Sequence, residues 1–100
     1  MRYLIKLENW YFEWSTGVKS PITDAMSKEE LEEYYFRTYG DNPTTRKEWE
    51  EKIVRVESKG IGSELDSVDE LIEDNSAGAY NECLTKKQII KRYQWDYEGE

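Results

Sequence analysis

Residues 1–14, MRYLIKLENWYFEW, contain the densest run of apolar and aromatic side chains in the chain. Apolar residues recur at every second position from Tyr3 to Leu7, and again from Trp10 to Trp14. A period of two is typical of strands, because successive side chains point to opposite faces of a sheet. The stretch therefore predicts two strands, and we expect the rest of the chain to pack on them.

The composition indicates one small domain with an aromatic core. The chain has 100 residues, the length of a single domain, so we expect residues 1–100 to fold as one unit. Aliphatic side chains are few, but the sequence contains four Trp and eight Tyr. Each of these aromatic side chains buries about 150–250 Å², which is enough to build a core.

Residue content excludes several kinds of site. The chain has no His and its single cysteine is Cys83, so an intramolecular disulfide and a Cys/His zinc site are both excluded. The commonest general base is also missing. We therefore predict no catalytic activity, no cofactor and no metal, and we expect Cys83 to be a small buried side chain rather than a reactive thiol.

The sequence shows no signal for a membrane. It does not begin with a basic region followed by an apolar run and a small-residue cleavage site. No apolar run approaches the roughly 20 residues that span a bilayer. We expect a cytoplasmic protein that does not contact membranes.

Two helices are marked by capping boxes. Ser27 is followed by Glu30, and Gly40 is the expected end of that helix. Thr85 is followed by Gln88 in the same pattern, which predicts a second helix from about Lys86 to Tyr93.

The middle of the chain admits two interpretations. Thr45 and Glu48 form a third capping box, and Trp49, Ile53 and Val56 have helical spacing. The run IVRVE, however, is rich in β-branched residues and alternates, which favours a strand. We predict a short helix that becomes a strand near Lys52–Ser58 and pairs with Tyr3–Leu7.

The remaining segments complete a small α+β domain. Val18–Ile22 predicts a third strand, which Pro21 confines to a sheet edge because proline donates no amide hydrogen. Leu65, Val68, Leu71 and Ile72 have helical spacing with Ser63 or Ser67 as the cap, and Gln94–Glu100 could be an added strand or a docked extension. The predicted fold is a small, mostly antiparallel sheet with three to four helices packed on it.

Charge is distributed unevenly along the sequence. The net charge is -8, and no Lys or Arg occurs between Gly60 and Thr85. Such a field repels nucleic acid and attracts basic protein surfaces. The candidate partner-binding residues are the helical acids Glu29, Glu32, Glu33, Asp66, Asp69, Glu70, Glu73 and Asp74.

Two explanations account for these acids. Solvated helix faces would keep a small protein soluble. Alternatively, helical carboxylates three or four positions apart are about 5–6 Å from one another, close to the spacing of phosphates along a nucleic-acid strand, so they could mimic its charge.

Three stretches, RYLIKLEN, SKEELEEYYF and KIVRVESK, give the chain a plan that resembles small acidic accessory proteins of phages and other mobile elements. Anti-CRISPR and other anti-defence proteins belong to this group. The resemblance implies that the protein acts without catalysis, by binding a host effector and blocking its nucleic-acid site, its partner surface or its conformational change. It carries over no individual residue.

These observations lead to two hypotheses. The first is a non-enzymatic acidic inhibitor, of the anti-CRISPR or anti-defence type, that binds a basic nucleic-acid-handling host protein and does not bind nucleic acid itself. The alternative is a structural or assembly protein of a phage or mobile element that forms homo-oligomers. In that case the basic helix Lys86–Arg92 of one copy would meet the acidic helix Leu65–Asp74 of the next.

Overall fold

Residues 2–15 form a β-hairpin that the helices cover on both faces. A computed structural model describes residues 1–94, in which β1 (Arg2–Leu7) pairs antiparallel with β2 (Trp10–Ser15), Ile5 lying opposite Phe12. β3 (Ser20–Pro21) pairs with β2 as the third strand. It lies at the sheet edge, as Pro21 predicts, but it is shorter than the expected Val18–Ile22.

Both faces of this small sheet are buried. Ile5 and Phe12 belong to one core cluster, whereas their neighbours Leu4 and Tyr11 belong to another. Because alternate side chains point to opposite faces, the two clusters lie on opposite sides of the sheet. The hairpin is therefore the central layer of the molecule.

Helices α1 (Lys28–Tyr39) and α2 (Pro43–Lys59) cover the face of Leu4 and Tyr11. Their buried residues fill the space against the sheet: Leu31, Tyr35, Trp49, Ile53 and Val56. The Tyr35 ring is 5.4 Å from the Trp49 ring, so aromatic contacts also join the two helices.

Helices α3 (Val68–Glu73) and α4 (Lys86–Arg92) cover the face of Ile5 and Phe12. A short 3₁₀ turn, Ala79–Asn81, lies between them in the chain. The three-stranded antiparallel sheet and the four helices confirm the predicted α+β fold.

The capping predictions for α1 and α4 are confirmed. Ser27 and Glu30 form a reciprocal capping box, and Gly40 ends α1 with φ 96°. Thr85 and Gln88 form the equivalent box at the start of α4. Each box satisfies two amides at a helix end that have no partner within the helix.

The prediction of a strand at Lys52–Ser58 is wrong. This stretch is the second half of α2, in which Ile53 and Val56 are buried and Val54 is exposed. The residue that pairs with β1 is instead Ile61, which forms an isolated bridge to Ile5 just after the helix. Burial of one helical face outweighs the strand preference of β-branched residues.

The cap predicted at Thr45 is also wrong. α2 begins at Pro43, and the side chain of Asn42 accepts a hydrogen bond of 3.0 Å from the Thr45 amide. Proline suits the first helical position because the amide hydrogen it lacks would have no partner there. Thr45 is buried inside the first turn.

Two predictions about burial, both for residues near α3, are wrong. α3 is capped by Ser67, one of the two predicted caps, but Leu65 lies before the helix and is exposed. Cys83 is exposed as well, so it is not the buried side chain we predicted. The strand suggested for Gln94–Glu100 lies, apart from Gln94, outside the described residues.

Candidate protein-binding surface

The predicted acidic residues lie in two groups. Glu29, Glu32 and Glu33 are exposed on α1, and the other five lie in or beside α3. Since α1 and α3 pack on opposite faces of the sheet, the structure does not bring the eight carboxylates together on one surface.

Several of these acids have partners within the chain. Asp69 forms an ion pair of 3.0 Å with Lys86 of α4, and Asp74 forms one of 3.2 Å with Lys19. The Asp69 pair places α3 and α4 in contact within one molecule. Within one molecule, this ion pair joins two side chains that the self-association hypothesis places in a contact between copies.

Asp66, which is half-buried, is held by hydrogen bonds within the chain. The Tyr3 hydroxyl donates to its carboxylate at 2.5 Å and the Ser63 hydroxyl at 3.1 Å. The Tyr3 hydrogen bond lowers the pKa of Asp66, with a further contribution from Ser63. Asp66 therefore connects the start of the sheet to the segment that precedes α3.

Other acids near α3 are free to meet a partner. Glu70 and Glu73 are exposed, and within residues 1–94 neither carboxylate forms an ion pair. They are three positions apart on α3, which places them about 5–6 Å from each other on one side of the helix.

A compact loop follows α3 and is fastened by one buried side chain. We call residues 75–84 the Tyr80 loop. The Asn75 amide group donates to the carbonyls of Ile72 and Leu84 at 2.6 and 2.8 Å. Its oxygen accepts from the amides of Ala77 and Leu84 at 3.2 and 2.8 Å. Asn75 thus joins both ends of the loop to the end of α3.

The base of the loop leaves no room for a larger residue at Gly78. A Cβ atom there would lie 2.9 Å from both the Glu82 and the Leu84 side chains. The Gly78 amide also donates to the Glu82 carbonyl at 2.9 Å. Close packing therefore fixes the chain on each side of the tip.

The loop tip presents an aromatic side chain in an unusual backbone conformation. Tyr80 and Asn81 have φ values of 56° and 64°, and positive φ is uncommon for residues other than glycine, particularly bulky ones. Tyr80 is 99 % exposed. A backbone conformation of this kind costs about 1–3 kcal/mol. Within residues 1–94, burial of the Tyr80 ring does not offset this cost.

Sequence reasoning missed this loop. The stretch Asp74–Gly78 reads only as a polar break, and nothing in the sequence distinguishes Tyr80 from the other aromatic residues that supply the expected core. An available signal was the combination of Asn75 and Gly78 around a short segment without helical or strand periodicity. Leu65 lies at the other end of α3 and is 94 % exposed, although its spacing predicts a place on the helix face.

Other kinds of site find little support in the described part of the chain. No three His, Cys, Asp or Glu side chains in residues 1–94 are gathered as metal ligands. Over the same residues, no helix has the length and apolar character needed to cross a bilayer.

No protein-family model, curated protein or solved structure matches the chain.

Proposed function

We propose that this protein is a non-enzymatic inhibitor that binds a basic, nucleic-acid-handling host protein through residues 60–85. We call these residues the acidic segment. It contains α3 and the Tyr80 loop, and it carries seven Asp and Glu residues without a Lys or Arg. The proposal places the contact on the α3 side of the molecule, away from the carboxylates of α1.

The observation that carries the proposal is the exposed Tyr80 among these acids. A surface that only keeps a protein soluble needs charge, and it gains nothing from an aromatic side chain held in a strained conformation. Protein interfaces, in contrast, are enriched in tyrosine anchors surrounded by polar residues. Leu65 offers a second apolar contact in the same segment.

The charge of the segment supports a basic partner. The exposed carboxylates of Glu70 and Glu73 would pair with Lys or Arg side chains that otherwise hold phosphates. Occupying those side chains would block the partner's nucleic-acid site. Inhibition then needs no catalytic group.

The test is capture of the partner with variants that separate the two acidic groups. The tagged protein is incubated with lysate of its natural host at low and moderate salt, and bound proteins are identified by mass spectrometry. The binding variants are Tyr80→Ala and the double charge reversal Glu70→Lys with Glu73→Lys. The control is Glu29→Lys with Glu32→Lys on α1, which changes the net charge by the same amount.

We expect the unmodified protein and the α1 control to retain a basic nucleic-acid-binding protein, and both binding variants to lose it. Retention should fall as salt rises, because the contact is largely ionic. Capture that is insensitive to salt, or equal loss in both double variants, contradicts the proposed surface. Recovery of the protein alone, with a mass by light scattering that grows with concentration, favours self-association instead.

A further inference from the structure

A cavity lies on the opposite side of the sheet from α3 and the Tyr80 loop, where β1 and β2 face α1 and α2. Its volume is about 320 Å³, within the range of about 300–1,000 Å³ that is usual for small-molecule pockets. The residues that line it come from every element around it: Arg2, Tyr3, Leu4, Glu13, Tyr35, Tyr39, Glu48, Lys52 and Gly62.

Glu13 is the most unusual residue of this wall. It is only 3 % exposed, and its carboxylate oxygens accept hydrogen bonds of 2.6 Å from the hydroxyls of Tyr34 and Tyr39. Within residues 1–94 it forms no ion pair with Lys or Arg. A carboxylate can accept about four hydrogen bonds, so Glu13 keeps capacity for a donor in the cavity.

The α2 side of the wall is loosely bonded. The Lys52 ammonium donates to the Tyr35 hydroxyl at 3.3 Å, and that hydroxyl donates to the Glu48 carboxylate at 3.5 Å. Both distances lie beyond the usual range for hydrogen bonds of these groups. Lys52 and Glu48 can therefore turn toward a ligand at little cost.

The charges of the wall balance. Arg2 and Lys52 are positive, and Glu13 and Glu48 are negative. A ligand with a single charge would pair with either the two cations or the two carboxylates of the wall. The remaining two charged side chains would then have no partner on the ligand, or would face a like charge, which is unfavourable in a partly enclosed site. A ligand that carries both charges matches the wall.

We propose that this cavity binds a small zwitterion, namely a free α-amino acid. Its ammonium group would donate to Glu13 and Glu48, and its carboxylate would accept from Arg2 and Lys52. Leu4 and the ring of Tyr35 supply an apolar wall for the side chain. This inference does not rest on the proposed function, since it uses none of the side chains that carry the proposed protein contact, namely Leu65, Glu70, Glu73 and Tyr80.

The experiment compares three probes with the same phenyl group and two-carbon linker. L-Phenylalanine carries both charges, phenethylamine only the ammonium group, and 3-phenylpropionate only the carboxylate. The common L-amino acids are first surveyed by thermal shift, and the three probes are then titrated by calorimetry. We expect L-phenylalanine to bind with a Kd in the millimolar to micromolar range, and at least about tenfold more tightly than either analogue.

Matched substitutions on α2 locate the binding. Lys52→Met and Glu48→Gln should each weaken L-phenylalanine by about tenfold. Lys47→Met and Glu50→Gln, on the exposed side of the same helix, should leave the Kd unchanged. Circular dichroism confirms that each variant is folded.

Three results would overturn the inference. They are no saturable shift with any of the amino acids, equal affinity for L-phenylalanine and one of its singly charged analogues, and equal weakening by the cavity and control substitutions. None of these results affects capture of the basic partner, so failure of one proposal can be distinguished from failure of the other.

Discussion

Replacing Tyr34 with Phe removes one of the two hydroxyl groups that donate to the buried Glu13 carboxylate. The hydrogen bond is 2.6 Å long and Glu13 is 3 % exposed, so water does not readily replace the lost donor. A hydrogen bond to a charged group contributes about 1.5–3 kcal/mol. We therefore expect Tyr34→Phe to lower the free energy of unfolding by about 2 kcal/mol.

Urea unfolding followed by tryptophan fluorescence measures this change. A loss of about 2 kcal/mol should lower the urea midpoint by about 1 M without altering the slope m. It should also lower Tm by about 8–16 °C for a domain of this size. Tyr80→Phe removes the same hydroxyl from a fully exposed ring, and it should change stability by less than about 0.5 kcal/mol.

A double-mutant cycle shows whether the effect passes through Glu13. In the Glu13→Gln background the acceptor is neutral, so Tyr34→Phe should cost clearly less than it does in the unmodified protein. The reasoning fails if Tyr34→Phe costs no more than Tyr80→Phe. It fails equally if the cost is the same in both backgrounds.

Three further predictions concern the backbone and the dependence on pH. Gly60 has φ 86°, so Gly60→Ala should cost about 1–2 kcal/mol in urea unfolding, whereas Gly17→Ala, at a residue without positive φ, should be close to neutral. Since the Tyr3 hydroxyl lowers the pKa of Asp66, the stability difference between the unmodified protein and Tyr3→Phe should be full at neutral pH. It should disappear as the pH falls below about 4; a difference that persists in acid would exclude this carboxylate as the cause. Burial and then the Glu13 contact raise the pKa of Tyr34, so urea midpoints of the unmodified protein should fall as the pH rises above about 10, and less so for Tyr34→Phe.

Local signals predicted the hairpin and the two capped helices because the residues that determine them are adjacent in sequence. The alternation from Tyr3 to Trp14 and the box formed by Ser27 and Glu30 depend on neighbours within four positions. Such signals do not need the tertiary structure to be interpreted.

Lys52–Ser58 shows where this approach fails. Ile53, Val54 and Val56 favour a strand by their branching, and they also fit a helix of which one side is buried. The choice is made by Leu31 and Tyr35 of α1, which lie in the same core cluster as Ile53 and Val56. That contact is not visible in the local sequence.

The candidate sites were predictable only in part. The acids of residues 60–85 could be found by counting charges, but their separation from Glu29 and Glu32 depends on which face of the sheet each helix covers. Glu13 alternates with aromatic residues in β2, but the two tyrosine hydroxyls that hydrogen-bond its buried carboxylate come from α1. Long-range contacts of this kind cannot be deduced from composition.

The central position of the hairpin has a consequence for how the molecule unfolds. β1 and β2 supply side chains to both core clusters, so neither helix pair can detach without exposing an apolar face of the same two strands. Partial opening of one layer is therefore costly, and the two layers should unfold together. In native-state hydrogen exchange, the hairpin amides should be the slowest in the chain, and substitutions in either helix layer should accelerate them equally for an equal loss of stability.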